Sequence, residues 1–109
     1  MTTETLTEHE FEKRADEELK KLVIALDDVD DIESDLQMGV LTISFTDGTR
    51  YIVNSHRAAK QIWGAAELTA WHFDPHADGR WIAAKSGDEL WTTVDRILTK
   101  KLSRPVKLR

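Results

Sequence analysis

Carboxylates are the side chains of this 109-residue chain whose spacing can do chemistry. Asp27, Asp28, Asp30, Asp31, Glu33 and Asp35 crowd one short segment, and Asp16 and Glu17 stand upstream of it. Ionised carboxylates are hard oxygen acceptors, so an open array of them suits weakly held cations or a basic partner surface. The plain alternative is a solvated face, which is what most charge runs are. The chain has no cysteine, which removes disulfides, zinc knuckles, thiol catalysis and clusters held on its own thiolates. Any metal here meets carboxylate, imidazole or water. His9 shares a helical strip with Asp16 and Asp27 and offers one imidazole, although a solvated histidine fits the strip better. His72 and His76 lie near Asp74 and Asp78, but Asp74-Pro75 and Asp78-Gly79 are turn chemistry rather than a metal loop. No Ser-His-Asp spacing, phosphate-cradling glycine loop or HExxH motif occurs. The expected protein is a binder, not an enzyme.

Charge is unevenly divided along the chain. Residues 1–38 hold thirteen acids against four Lys or Arg, the remainder seven against eleven, for a net of −5. Like charges so concentrated raise the free energy of the compact state, and a cation or a basic partner is the natural relief. A chain with a pI near 5.3 is not a general nucleic-acid binder, because that affinity comes from Lys and Arg on phosphates. The basic residues Lys100, Lys101, Arg104, Lys107 and Arg109 suit the negative end of a helix. No apolar run reaches the roughly 18–20 residues of a membrane span. The acidic opening MTTETLTEHE has neither an apolar leader core nor Arg-rich transit character. A bacterial cytoplasmic protein is expected, with a processed mitochondrial form as the alternative.

These residues need a frame. Phe11, Ala15, Leu19, Leu22, Leu26 and Val29 recur at helical spacing and predict a helix from Glu8 to about Val29, with Thr7 and Glu10 as its capping box. The period then changes to two. Leu41, Ile43 and Phe45 alternate in Val40–Phe45, Asp47-Gly48 is a hairpin dipeptide, and Arg50–Asn54 returns. Lys60–Ala65, Ala70–Asp74 and Arg80–Ala84 read as three further strands. A second helix is expected from Ser86, with Glu89 closing an S-x-x-E box and Leu90, Val94, Ile97 and Leu98 as its stripe. Val106 and Leu108 then tuck a tail against the helices, and Trp71, Trp81 and Trp91 read as core or core edge. The class is α+β: a two-layer α/β sandwich of helix, antiparallel sheet of five to six strands, and helix, with both helices on one sheet face. With Ile62 in the core, Trp63 and Gln61 stand on the open face, where a Trp marks a contact surface.

The segment Asn54-Ser55-His56-Arg57-Ala58-Ala59-Lys60-Gln61-Ile62-Trp63 resembles the frataxins, the family whose bacterial members are the CyaY proteins. The resemblance also runs through the acidic helix, Gly39-Val40-Leu41-Thr42, Trp71-His72-Phe73-Asp74, Trp81, Ser86-Gly87 and Leu90-Trp91, and covers residues 1–109 as one domain. It implies a small iron-binding protein of iron–sulfur cluster assembly, acting with a cysteine desulfurase and a scaffold protein. It implies a ridge binding Fe2+ or Fe3+ weakly along the first helix and first strand edge, at Asp16, Glu17, Asp27, Asp28 and Asp31, with Asp30, Glu33 and Asp35 beside them. It implies partner contacts at Asn54, Gln61 and Trp63, and at His72, where the family prefers a basic residue. Lys20, Val23 and Ile24 replace ridge acids, so metal is expected to favour Asp27–Asp35, and Val23 with Ile24 to form an exposed apolar spot. A monomer is expected, with metal-dependent oligomers open. Two other readings stand: iron storage with ferroxidase activity, and an acidic interaction module that uses no metal.

Overall fold

The first helix, α1 (Glu8–Leu26), starts where its capping box predicts. Glu10 N–H donates to Thr7 Oγ1 and Thr7 N–H donates to Glu10 Oε1, both at 3.1 Å. The structure is a computed structural model and describes residues 6–109; residues 1–5, the start of the acidic opening, lie outside the described residues. Phe11, Ala15, Leu19, Leu22 and Leu26 of α1 are buried, as their spacing requires. Val29 is not in the helix. Asp27 is the C-cap, its N–H reaching Val23 O at 3.1 Å, and Asp31 turns left-handed with φ 69°. Asp side chains compete for backbone groups and tolerate that conformation, so a run of them ends a helix early.

Six antiparallel strands follow in sequential order: β1 (Ile32–Gln37), β2 (Val40–Phe45), β3 (Arg50–His56), β4 (Gln61–Ala66), β5 (Thr69–Pro75) and β6 (Trp81–Ala83). β1 is the strand that periodicity does not reveal. Its half-buried Ile32, Ser34 and Leu36 alternate with exposed Glu33, Asp35 and Gln37, and acids at every second place resemble a solvated loop. The Asp47-Gly48 hairpin is as expected. Asp47 Oδ1 accepts from Thr49 N–H at 2.9 Å and from the Thr49 hydroxyl at 2.6 Å.

The second helix, α2 (Leu90–Leu102), begins four residues later than its expected box. Its N-cap is Glu89, whose carboxylate accepts from Trp91 N–H (2.9 Å) and Thr92 N–H (3.1 Å). Ser86 caps nothing, because a bridge between Ile82 and Glu89 and a left-handed Gly87 hold this stretch out of the helix. Its hydroxyl donates instead to Asp88.

Both helices pack on one face. Leu90, Val94 and Leu98 of α2 join the α1 stripe and Leu41, Ile43, Tyr51, Val53, Ile62 and Phe73 of the sheet in one cluster. Each large side chain so buried contributes about 1.5–3 kcal/mol. Trp81 and Trp91 are core, Trp81 meeting Phe11 edge-on at 5.9 Å, while Trp71 is half-buried against Tyr51. The tail is held as expected, Val106 N–H donating to Thr99 Oγ1 and Leu108 N–H to Asp95 Oδ1. Among the described residues, no helix is long and apolar enough to cross a membrane.

Candidate functional site

Two surfaces carry the residues that the sequence singles out, and they meet at the β1 edge. The first is acidic. Asp27 and Asp28 close α1, Asp30 and Asp31 form the loop to β1, and Glu33 and Asp35 lie on β1. Glu33 is opposite Ser44 and Asp35 opposite Thr42, while Ser34 pairs with buried Ile43. Glu33 and Asp35 therefore point to the open face of the sheet, away from the helices. The ridge does not stay on the helix side but wraps around the sheet edge.

Ion pairing divides these acids. Asp16 is engaged by Lys20 at 2.9 Å, so the replaced ridge position neutralises its neighbour. Asp31 accepts from Arg104 Nη1 at 3.1 Å, and Arg104 Nη2 donates to Asp30 O at 2.8 Å, which pins the loop. Glu17, Asp27, Asp28, Asp30, Glu33 and Asp35 have exposed side chains with no ion pair among the described residues. Nor does the last turn of α1 carry a basic residue. The negative end of a helix disfavours acids and favours cations, so Asp27 and Asp28, with no ion pair among the described residues, sharpen that negative pole. Among the described residues, no three His, Asp or Glu side chains converge to hold an ion. The surface is a field of carboxylates rather than a formed chelate. His9, exposed on α1, adds no such group. The expected apolar spot shrinks to Ile24, 68% exposed, because Val23 packs against the core.

The second surface is the open face. Register sets Gln37, Val40, Asn54, Trp63 and His72 in one row across β1 to β5. Trp63 stands there as expected, yet it is half-buried rather than free. It is stacked between His56, with ring centroids 3.8 Å apart and an interplanar angle of 15°, and His72, at 4.3 Å and 16°. Such pairs contribute about 0.5–1.5 kcal/mol beyond burial. Its Nε1–H donates to Gln61 Oε1 at 2.8 Å, and Gln61 Nε2 donates to Asp74 Oδ1 at 2.9 Å. The indole is locked face and edge. Asn54 Nδ2 donates to Ser55 O at 3.3 Å, which leaves its carbonyl oxygen available on the open face.

Sequence reasoning missed His56. It sits two residues beyond Asn54 on the same alternation, and that period was the signal that it shares the face. Its Nδ1 accepts from Ala59 N–H at 3.3 Å, so the neutral ring carries its proton on Nε2. Asp78-Gly79 is turn chemistry as read, Asp78 accepting from Arg80 N–H and Nε, whereas Asp74 and Pro75 are not a turn but the end of β5, paired with Ile82 and Trp81.

This arrangement has close relatives. Residues 4–104 match the family model of the frataxin-like domain. The chain is 34% identical over 108 residues to the iron-sulfur cluster assembly protein CyaY of Ralstonia nicotianae, covering 94% of this chain and 95% of that one. Among solved structures it is similar to the frataxin of Psychromonas ingrahamii, at 27% identity and TM-score 0.88, covering 95% and 99% of the two chains. It is also similar to a trimeric frataxin of Saccharomyces cerevisiae described as complexed with ferrous iron, at 26% identity and TM-score 0.73, covering 95% and 94%. The helix, six-stranded meander and helix agree with these structural matches, and the family model spans nearly the whole chain: the chain belongs to the frataxin family.

Proposed function

We propose that this chain works in iron–sulfur cluster assembly, in a bacterial cytoplasm, as a protein that holds iron loosely and docks on the assembly machinery. The observation that carries the reading is the set of unpaired acids at the negative end of α1, continued by Glu33 and Asp35 onto the open face. The name of its Ralstonia relative points to the same pathway, and the ferrous complex of the yeast frataxin supports the iron part of the reading. Iron is cargo here, met by one or two carboxylates and otherwise by water, which suits exchange rather than storage. A cysteine desulfurase presenting a basic surface fits the acidic side, and a scaffold protein fits the row around Asn54, Trp63 and His72. The ridge and the row adjoin at β1, so one assembly can engage both. Regulation of the desulfurase, and not turnover by this chain, is the activity that such a surface supports.

Anaerobic Fe2+ titration of the 15N-labelled protein tests the iron half. Broadening is expected first at Asp27–Asp35 and later, or not at all, at Asp16, which Lys20 already holds. Asp27→Lys with Asp28→Lys should abolish it and weaken desulfurase binding with a reduced salt dependence. Amides untouched by excess Fe2+, with desulfurase binding still lost in the variant, would replace the reading with metal-free docking. Rapid Fe2+ oxidation in the presence of the protein once O2 is admitted as the electron acceptor would instead favour the ferroxidase reading.

A further inference from the structure

Trp63 carries an imidazole on each face, and the two rings are held differently. His56 closes β3 where the turn to β4 begins, and its Nδ1 accepts from Ala59 N–H at 3.3 Å. The same turn is closed by Lys60 N–H on Arg57 O at 3.1 Å, with Lys60 left-handed at φ 53°. A protonated imidazole has two N–H donors and no acceptor. Charging His56 would therefore break its bond to Ala59 and set one N–H against another. The charges of the turn oppose it as well. Lys60 and Arg57 are cations, and the acids that α1 brings there, Glu8 and Glu12, are spent on the Arg57 guanidinium.

His72 covers the other face of the indole from β5. It is exposed, and neither ring nitrogen makes a hydrogen bond among the described residues. Asp74 follows it by two residues on the same strand face, and only its Oδ1 is taken, by Gln61 Nε2. His76 stands two residues further on, with its Nδ1 buried. Across the adjoining cleft lie Lys85, Asp88 and Arg96, the last two paired with each other. Of these groups Lys85, exposed and without an ion pair among the described residues, opposes a charge on His72. A proton on His72 displaces no bond, gains an indole face that attracts a cation, and has Asp74 beside it.

We infer that the Trp63 face is proton-sensitive: His72 gains a charge as pH falls from about 8 to 5, the interval over which imidazole charges, while His56 is a positioning residue that stays neutral and keeps the indole in place. The step is one proton added to one ring nitrogen of His72. It changes the middle of the open face, where Val40 and Ile52 are exposed and Asn54 lies opposite Trp63. At the upper end of the interval the row from Gln37 to His72 is uncharged. At the lower end a partner that lays apolar surface on Trp63 has a cation to desolvate. Use of this switch to regulate docking rests on the docking role proposed above, whereas the switch itself needs neither iron nor a partner.

The test is a titration of the 13C,15N-labelled full chain without metal, from about pH 8 down to about 5.5, which stays above the ordinary range of Asp and Glu. It follows the Trp63 indole N–H, the Cε1–H signals of His56 and His72, and the Ala59 amide. Expected is one step in which His72 and the indole shift together while His56 and Ala59 hold still. His72→Phe, at an exposed position, keeps a ring on the indole and should lose the step. His56→Phe keeps a ring but no acceptor for Ala59, and should displace the indole signal at every pH while leaving the step. The assignment to His72 is also read in the unmodified chain, so it does not hang on either variant folding. An indole step that survives His72→Phe, a His56 signal that titrates in step with Ala59, or an indole that stays still while His72 titrates would each overturn the proposal. An indole unmoved by His56→Phe would overturn the positioning role.

Discussion

Tyr51 and Gly64 allow a quantitative test of how β4, the strand bearing Trp63, is seated. The Tyr51 side chain is fully buried, and its hydroxyl has no hydrogen-bond partner among the described residues; burial pushes its pKa above the usual phenol value. A buried polar group left unsatisfied costs about 1–3 kcal/mol. Tyr51→Phe should therefore stabilise the protein by about 1 kcal/mol, near 4–8 °C in Tm for a domain of this size. A Cβ placed at Gly64 would stand 2.7 Å from that hydroxyl oxygen and 3.3 Å from two ring carbons. Gly64 has no left-handed φ, so Gly64→Ala meets a steric penalty only, of about 1–3 kcal/mol for an overpacked core. Removing the hydroxyl removes the shortest contact. In a double-mutant cycle read by urea denaturation, Gly64→Ala should cost less in the Tyr51→Phe background by about 1 kcal/mol or more. Additivity within about 0.5 kcal/mol, or a Tyr51→Phe variant less stable than the parent, would refute the reasoning and mean that the hydroxyl is satisfied.

Two further outcomes follow from the turns and the stack. Asp47 is held at about pKa 2, from 3.8, by the Thr49 hydroxyl first, then the Thr49 N–H, then Lys101. A depressed carboxylate stabilises the fold fully above its unfolded value, and that contribution is lost as pH falls from 3.8 toward 2. In a carboxyl 13C titration, Thr49→Val should raise this pKa more than Lys101→Met does. The reverse order would show that the ion pair, and not the turn, sets it. His56→Ala should uncover one face of Trp63, shift its indole N–H resonance and cost about 0.5–1.5 kcal/mol; an unmoved resonance would mean that the stack is not formed in solution.

Periodicity made α1, the hairpins and the orientation of Trp63 legible, because burial of one face leaves a regular mark on the sequence. It failed at β1, where only Ile32 and Leu36 are apolar and the exposed partners are charged or polar, so no apolar alternation marks the strand. It failed at Ser86 because an S-x-x-E spacing says nothing of the Ile82–Glu89 bridge that delays the helix. The stack on Trp63 was half legible: His72 was singled out on the face and His56, one step along the same alternation, was not. Long-range ion pairing was not legible, since Arg104 reaches Asp31 across 73 positions of chain.

Those long-range pairs explain where the acidic surface lies better than composition does. The basic second part of the chain is not spread evenly over the acids of the first. Arg57 takes Glu8 and Glu12, Arg104 takes Asp31, and Arg109, stacked on Trp91, lies 3.7 Å from the buried Glu18 carboxylate. Lys20 takes Asp16 within α1. Each of these ties one element to another or quiets the middle of the helix. The acids left with no ion pair among the described residues are Glu10, held in its capping box, Glu17, and Asp27, Asp28, Asp30, Glu33 and Asp35, most of them at or beyond the end of the helix where the backbone itself is negative. Surface pairs are individually worth about 0–1 kcal/mol, so pairing does not account for the fold. Its effect is to concentrate the unspent charge. Arg104→Glu should therefore do little to the core but extend the negative field to Asp31, and it should strengthen Fe2+ broadening at Asp27–Asp35. A variant that binds less Fe2+ would show that the pinned shape of the α1–β1 loop, rather than its charge, is what holds the ion.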